Sequence, residues 1–417
     1  MGSVFLSSQR RKTNGGACMK RVAALFLVLL LTVALSLPAA ASVPGELLIW
    51  SDGERAPVLT EVARNFVAEY GIPVKIQELP FGDIRDNLAI VAPTGEGPDI
   101  IVGAHDWLGQ LVTDGLIEPI DIEDPSLFLQ SGLDAFTWGG KYYGIPYAIE
   151  SIGLFYNKDL VGEDGIGSFE ELVELYHAEL APKGIYGLVL PQPDPYHTFP
   201  FFSMLGGYVF GTDEEGVLNP LDVGLANAGA VEGFEFFERL LDEGVIARAT
   251  PYDTMMSLFQ NGQAATMMTG PWAFGDVRAA GVNYGFTQIP SYKGQYGKPF
   301  LGAQGFMISA FSENKMLANI FLNEFVATKE TMLAIYEGDP RPTAFLPAAE
   351  IINEDPDMRG VMEAAAEATP MPAIPAMNSV WTAWSDAIEL VINQQSAPKD
   401  AIENAVEIIV QTIKDSM

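Results

Sequence analysis

Gly97-Pro98-Asp99-Ile100-Ile101-Val102-Gly103-Ala104-His105-Asp106-Trp107 reads as a turn, a short strand, and a polar and aromatic tip. Gly97-Pro98 punctuates the chain. Ile100, Ile101 and Val102 form the continuous apolar run expected of a parallel strand buried on both faces. Gly103 and Ala104 allow a close approach to the backbone, and His105, Asp106 and Trp107 follow at the strand's carboxyl end. In open α/β sheets, ligands bind outside that end of the strands. A carboxylate beside a large aromatic suits a ligand with hydroxyls on its edge and C–H groups on its face.

Upstream, Glu46 to Trp50 reads as a first strand. Leu59, Val62, Ala63, Phe66 and Tyr70 fall on one face of a helix, with Gly71 as its C-terminal cap. Val74 to Leu79 reads as a strand again. Strand, helix, strand predicts a βαβ unit and a parallel sheet. Residues 83–92 and Trp107–Gly115 read as helices. Gly139-Gly140 has the chemistry of a hairpin turn. Ile145–Ala148 runs towards Ile152–Asn157 with a polar break at Glu150-Ser151, which suggests one long strand crossing between two lobes. In the second half, Gly187–Leu190, Ala264–Thr269, Tyr284–Ile289 and Gly305–Ser309 read as strands. Phe169–Leu180, 200–206, Ala226–Glu243, Thr254–Asn261 and Asn314–Ala327 read as helices. Gln192-Pro193-Asp194-Pro195-Tyr196-His197 reads as a loop, and the chain from Ile351 is helical except at Pro370–Pro375.

The 417 residues carry a formal charge of -31. Such a surface repels nucleic acid and anionic lipid, so neither is an expected partner. The acids are scattered and not in runs, as in a solvated acidic surface. Val22–Leu37 is almost wholly apolar, follows Lys20-Arg21 and precedes Ala39-Ala40-Ala41. That is the order of a secretory signal peptide over residues 1–41, with Met19 as an alternative start. The single cysteine, Cys18, lies ahead of the apolar run, where a lipoprotein cysteine does not stand. The exported chain therefore has no thiol or disulfide, which points to the bacterial periplasm or exterior.

His105, His177 and His197 lie at no metal-ligand spacing, so no metal is expected. Gly95-Glu96-Gly97-Pro98 has an acid and a proline where a phosphate-cradling loop needs amide donors, and no cofactor is expected. One arrangement recurs: an acid and an aromatic together at strand ends. Asp106 stands with Trp107 and Asp194 with Tyr196, Glu54 and Glu150 close other strands, and Trp272 closes a fourth. Trp381 and Trp384 begin the penultimate helix. Each alone suits core packing or surface charge, but together they suit one sugar-binding cleft. The same residues leave open a glycosidase's carboxylate pair or a polyamine site.

The pattern resembles the extracellular solute-binding proteins of ABC importers, and among them the periplasmic maltose/maltodextrin-binding proteins. The matching stretches are Leu48-Ile49-Trp50, Gly95–Ile101, Ala104-His105-Asp106, Tyr156–Leu160, Gly206-Gly207-Tyr208, Gly270–Ala273, Val282–Gly285, Lys293-Gly294-Gln295, Lys298-Pro299-Phe300 and Met371–Pro375. The resemblance implies a type II periplasmic-binding-protein fold of two α/β lobes, each a mostly parallel sheet flanked by helices. Residues 42–148 and 303–350 would form one lobe, and 152–300 and 357–417 the other. Hinges would lie near 148–152, 300–302 and 351–356. It implies hydrogen bonds to sugar from Glu54, Arg55, Asp106, Glu150, Asp194 and Tyr196, and platforms at Trp272, Trp381 and Tyr196, with Met371 lining the cleft.

Known members carry tryptophan where Gly103 stands and arginine where Trp107 stands, so Trp107 is the candidate replacement platform. They have phenylalanine at His197, arginine at Ser385, beside which Trp384 stands, and lysine at Arg55. His197, Trp384 and Ser385 are therefore further candidates. His105 is expected to orient Asp106 rather than to touch ligand. The implied activity is non-enzymatic: a monomeric receptor that carries maltose, maltodextrin or a related α-glucoside such as trehalose to an ABC permease.

Overall fold

The computed structural model describes residues 45–213 and 217–417. The signal-peptide reading lies outside the described residues. Strand β1 (Leu47–Ser51), helix α1 (Ala56–Tyr70) and strand β2 (Val74–Glu78) form the expected βαβ unit, and β1 pairs in parallel with β2. Gly71 closes α1 in the left-handed conformation, φ 68°, with its N–H on the Val67 carbonyl. Helix α2 (Phe81–Val91) leads to β3 (Ile100–Ala104), parallel to β1 and buried throughout. Leu47, Ile49, Ile100 and Val102 pack with Leu59, Val62 and Phe66 of α1. The alternate residues Leu48, Trp50 and Ile101 pack with Ile84, Leu88, Leu108 and Leu111. This two-sided cover is why the run reads as continuously apolar. Asp99, at the foot of β3, accepts from the Leu48 N–H (2.8 Å) and the Ser312 hydroxyl (2.5 Å), which ties β1 and β3 to the chain beyond residue 309.

The sheet continues through β4 (Ile117–Glu118), β5 (Ile145–Glu150), β10 (Phe300–Ser309) and β11 (Thr369–Pro370) to seven strands, with the path β11-β10-β3-β1-β2. A second sheet, in the order β9-β6-β8-β7, holds β6 (Gly153–Asn157), β7 (Tyr186–Val189), β8 (Ala264–Thr269) and β9 (Tyr284–Thr287). The chain thus passes from one sheet to the other at Glu150–Gly153, the polar break anticipated from sequence, and returns on β10.

The expectation of mostly parallel sheets is corrected: both are mixed. β10 runs antiparallel to β3, β4 and β5. In the second sheet β6 is antiparallel to β8 and β9, and only β7 and β8 are parallel. The physical reason is connectivity. Helical crossovers return the chain in the same direction, whereas strands that enter from the other sheet arrive in either direction. Helix α3 (Pro195–Ser203) also begins before the predicted 200–206. Asp194 caps it, accepting from the His197 N–H (3.1 Å), with Pro195 at the first position. Those are start signals that the proline-rich loop reading overlooked. Among the described residues no helix is long and apolar enough to cross a membrane.

Candidate functional site

A cleft of about 610 Å³ opens between elements of the two sheets. From the first sheet's side come Glu54 and Arg55 at the β1–α1 turn, Phe81 and Arg85 of α2, and Ala104 to Trp107 after β3. Glu150 of β5, Gly302 to Gln304 of β10, and Arg341 complete that side. Across from them lie Tyr196 in the first turn of α3, Tyr252, and Trp272 and Asp276 after β8. Met371 and Trp381, from the C-terminal segment, line the cleft as well.

The first wall is a chain of buried ion pairs. Arg55 is bonded to Asp52 (2.6 and 2.8 Å) and to Asp339. Asp339 accepts from Arg341 Nε (2.6 Å), and Arg341 Nη1 pairs with Glu150. Glu150 also accepts from Gln304 Nε2 (2.9 Å). Burial works against the Arg341 charge, but Glu150 and Asp339 outweigh it and keep the guanidinium protonated. The Arg341 guanidinium also lies over the Trp272 ring, 5.4 Å from its centroid, and so joins the two walls.

Asp106 is half-buried on the cleft surface. Burial pushes its carboxyl above the ordinary value. Glu54 is raised too, first by the hydrogen bond it shares with Asp52 and then by burial. The Trp107 indole lies against Gly103: a Cβ there would sit 2.6 Å from two of its ring carbons. Phe81 packs at 4.9 Å on the same ring, and Arg85 stands 5.9 Å over it. Glycine at 103 and tryptophan at 107 are therefore one paired change.

The second wall is aromatic. Trp381 stacks on the buried Trp384 at 6.4 Å and 10°. Trp384 meets Phe199 and Phe202 edge-on, and Phe199 stacks on Phe300 at 4.0 Å. Tyr196 lies 6.3 Å from Trp272 and 5.8 Å from Phe300. The surface rings thus rest on a packed aromatic layer that holds them in place.

The structure brings Glu54, Arg55, Asp106, Trp107, Glu150, Tyr196, Trp272, Met371 and Trp381 to this cleft. Asp194 and Ser385 instead line a separate hollow that Trp381 also borders. Trp384 is fully buried in the core, where Trp381, Phe199 and Phe202 pack against it. His197 is buried outside the cleft lining, its Nδ1 3.2 Å from the Asp194 carboxylate and its Nε2 3.3 Å from Thr269 Oγ1. Burial pushes the Asp194 carboxyl up, but His197 and its hydrogen bonds hold it below the ordinary value.

The expected role of His105 is also corrected. Its Nδ1 accepts from the Ala303 N–H (3.1 Å), so Nε2 carries the proton and donates to the Met371 carbonyl (3.2 Å). It knits backbone together instead of orienting Asp106. Sequence reasoning missed Arg341, Gln304, Tyr252 and Asp276. The signal available for Arg341 was Asp339-Pro340-Arg341-Pro342, a stiff loop presenting a cation.

Residues 61–360 match the bacterial extracellular solute-binding proteins. The chain is 31% identical over 382 residues to the galactooligosaccharide-binding protein of Bacillus subtilis (strain 168), covering 88% of this chain and 90% of that one. It is 29% identical over 384 residues to the maltotriose-binding protein of Pyrococcus abyssi (strain GE5 / Orsay), covering 87% and 80%. It is 29% identical over 369 residues to the maltodextrin-binding protein MdxE of Bacillus subtilis (strain 168), covering 86% and 87%. By the extent of that match, and with a cleft of fixed ion pairs facing aromatic platforms, this chain belongs to the bacterial extracellular solute-binding proteins, a family of binding proteins and not of enzymes.

Proposed function

We propose that this protein is the exported, monomeric receptor of an ABC importer and that it binds an oligosaccharide of hexoses in the cleft. The observation that carries this reading is the pairing of one polar, hydrogen-bonded wall with one aromatic wall. Sugar hydroxyls match the first and the C–H faces of the rings match the second. Glu54, Arg55, Asp106, Trp107, Glu150, Tyr196, Trp272, Met371 and Trp381 are the proposed contacts. The polyamine alternative loses support because Arg55, Arg85 and Arg341 line the same cleft. The lobes are proposed as 42–148 with 303–350, and 152–300 with 357–417, closing about the crossings near 148–152, 300–302 and 351–356. Ligand shifts this equilibrium only by its differential affinity for the closed form. The closed form is what the permease would read.

A maltooligosaccharide is the first candidate. A galactooligosaccharide is the second, favoured by the relative that is 31% identical. Calorimetric titration and tryptophan fluorescence with maltose, maltotriose, galactotriose, trehalose and spermidine test both. Saturable binding of one sugar without release of reducing ends is the expected result. Binding of spermidine alone, or of nothing, sinks the proposal.

A further inference from the structure

A buried imidazole stands behind the aromatic wall. His197 lies in the first turn of α3, is 6% exposed and does not line the cleft. Its Nε2 is 3.3 Å from the hydroxyl oxygen of Thr269, the last residue of β8. Its Nδ1 is 3.2 Å from a carboxylate oxygen of Asp194, the cap of α3, in a contact of charge and not a linear hydrogen bond. A carboxylate only accepts, so Nδ1 is the nitrogen that carries a proton, and a hydroxyl can serve Nε2 as donor or as acceptor. The imidazole therefore ties the head of α3 to the end of β8. Those two segments carry surface rings of the wall. Tyr196 precedes His197 in α3, and its ring meets the imidazole at 5.5 Å and 69°. Trp272 follows Thr269 across Gly270-Pro271 and meets the imidazole at 6.0 Å and 85°. The indole also folds back over its own turn: a Cβ at Gly270 would lie 2.2 Å from its Cζ3. With Arg341 over the ring, 5.4 Å from its centroid, Trp272 is held on three sides.

We infer that His197 is a positioning residue for the sugar platform Trp272, its bond to Thr269 anchoring the turn that carries Trp272 to the Asp194-capped head of α3, where Tyr196 stands. A platform that must be ordered on binding costs affinity, whereas one already set does not. The nitrogens matter as much as the ring: an apolar ring of similar size would fill the space and leave Thr269 untied. This inference rests on the sugar-receptor reading above.

The test uses the full mature chain, titrated with maltotriose and galactotriose. His197→Phe keeps a ring and removes both nitrogens. Thr269→Val breaks the same tie from the other end and leaves the imidazole in place. His197→Gln offers an amide nitrogen where Nε2 stands. Melting temperatures identify any variant that fails to fold, and the tie is then read from the other end. His197→Phe and Thr269→Val are each expected to weaken binding about fivefold or more, and His197→Gln to recover most of that loss. In a Trp272→Ala background the same substitutions should change affinity by less than about twofold, because the platform they position is gone. In the sugar-free protein, Thr269→Val should change tryptophan emission, and the change should vanish in the Trp272→Ala background. Equal losses with and without Trp272, or no loss in folded variants, overturn the positioning role while leaving a sugar receptor. If the wild type binds neither trisaccharide, the receptor reading fails on wild-type data alone. The sugar-free emission still decides whether the imidazole sets the indole, and an emission that Thr269→Val leaves unchanged overturns it.

Discussion

On the side of the first sheet, the cleft is walled by charges that hold one another: Asp52, Arg55, Asp339, Arg341 and Glu150 form a continuous buried chain. On the opposite side, rings lean on rings, from Tyr196 and Trp272 to Trp381 over Trp384. The difference separates two tasks. Buried ion pairs are rigid and directional, and each loses much if a partner is removed. Aromatic faces give contact area with little demand on direction. Stability should therefore be concentrated in the first wall and ligand affinity in the second, with Arg341 over Trp272 as the point where they meet.

The largest effect should come from Arg341→Ala. It leaves Glu150 buried without its cation and Asp339 with Arg55 alone, and should cost about 3–5 kcal/mol of stability in urea unfolding. A loss below about 1 kcal/mol would show the first wall to be looser than its geometry suggests. Trp272→Ala should act the other way, with little change in stability but about 1–3 kcal/mol weaker sugar binding by calorimetry. An unchanged dissociation constant removes Trp272 from the site.

Gly103→Ala should destabilise by about 1–3 kcal/mol, because the new methyl displaces the Trp107 ring and Met307. A shifted tryptophan emission should accompany it, and an unperturbed spectrum would contradict the pairing of positions 103 and 107.

The smallest effect is electrostatic. The Asp194 carboxyl is held below its ordinary value in the fold. Its contribution is therefore present above the unfolded carboxylate value of about 3.9 and lost as pH falls through the lower folded value. Asp194→Asn, which preserves the helix cap, should be less stable than wild type at pH 7 and equal to it in strong acid. A pH-independent difference would assign the effect to packing.

Much of this was legible in the residues. The continuous apolar runs of β1 and β3 follow from burial on both faces, and Gly71 from the geometry of a helix end. Trp272 could be singled out because it follows a strand and Gly270-Pro271. Trp381 and Trp384 were not separable: three residues apart on one helix, they differ only in what packs against them.

Local periodicity and turn chemistry thus determined the α/β class, the first βαβ unit, the crossing at Glu150-Ser151 and most of the cleft's aromatic and acidic residues, because those signals depend on neighbours in the chain. Tertiary structure alone decided the mixed strand directions, the burial of Trp384, the backbone role of His105 and the ion-pair chain. Arg341 meets Glu150 across 191 residues and Asp339 meets Arg55 across 284. A charge pair at such separation leaves no periodic trace in the sequence; only folding brings its members close enough to interact.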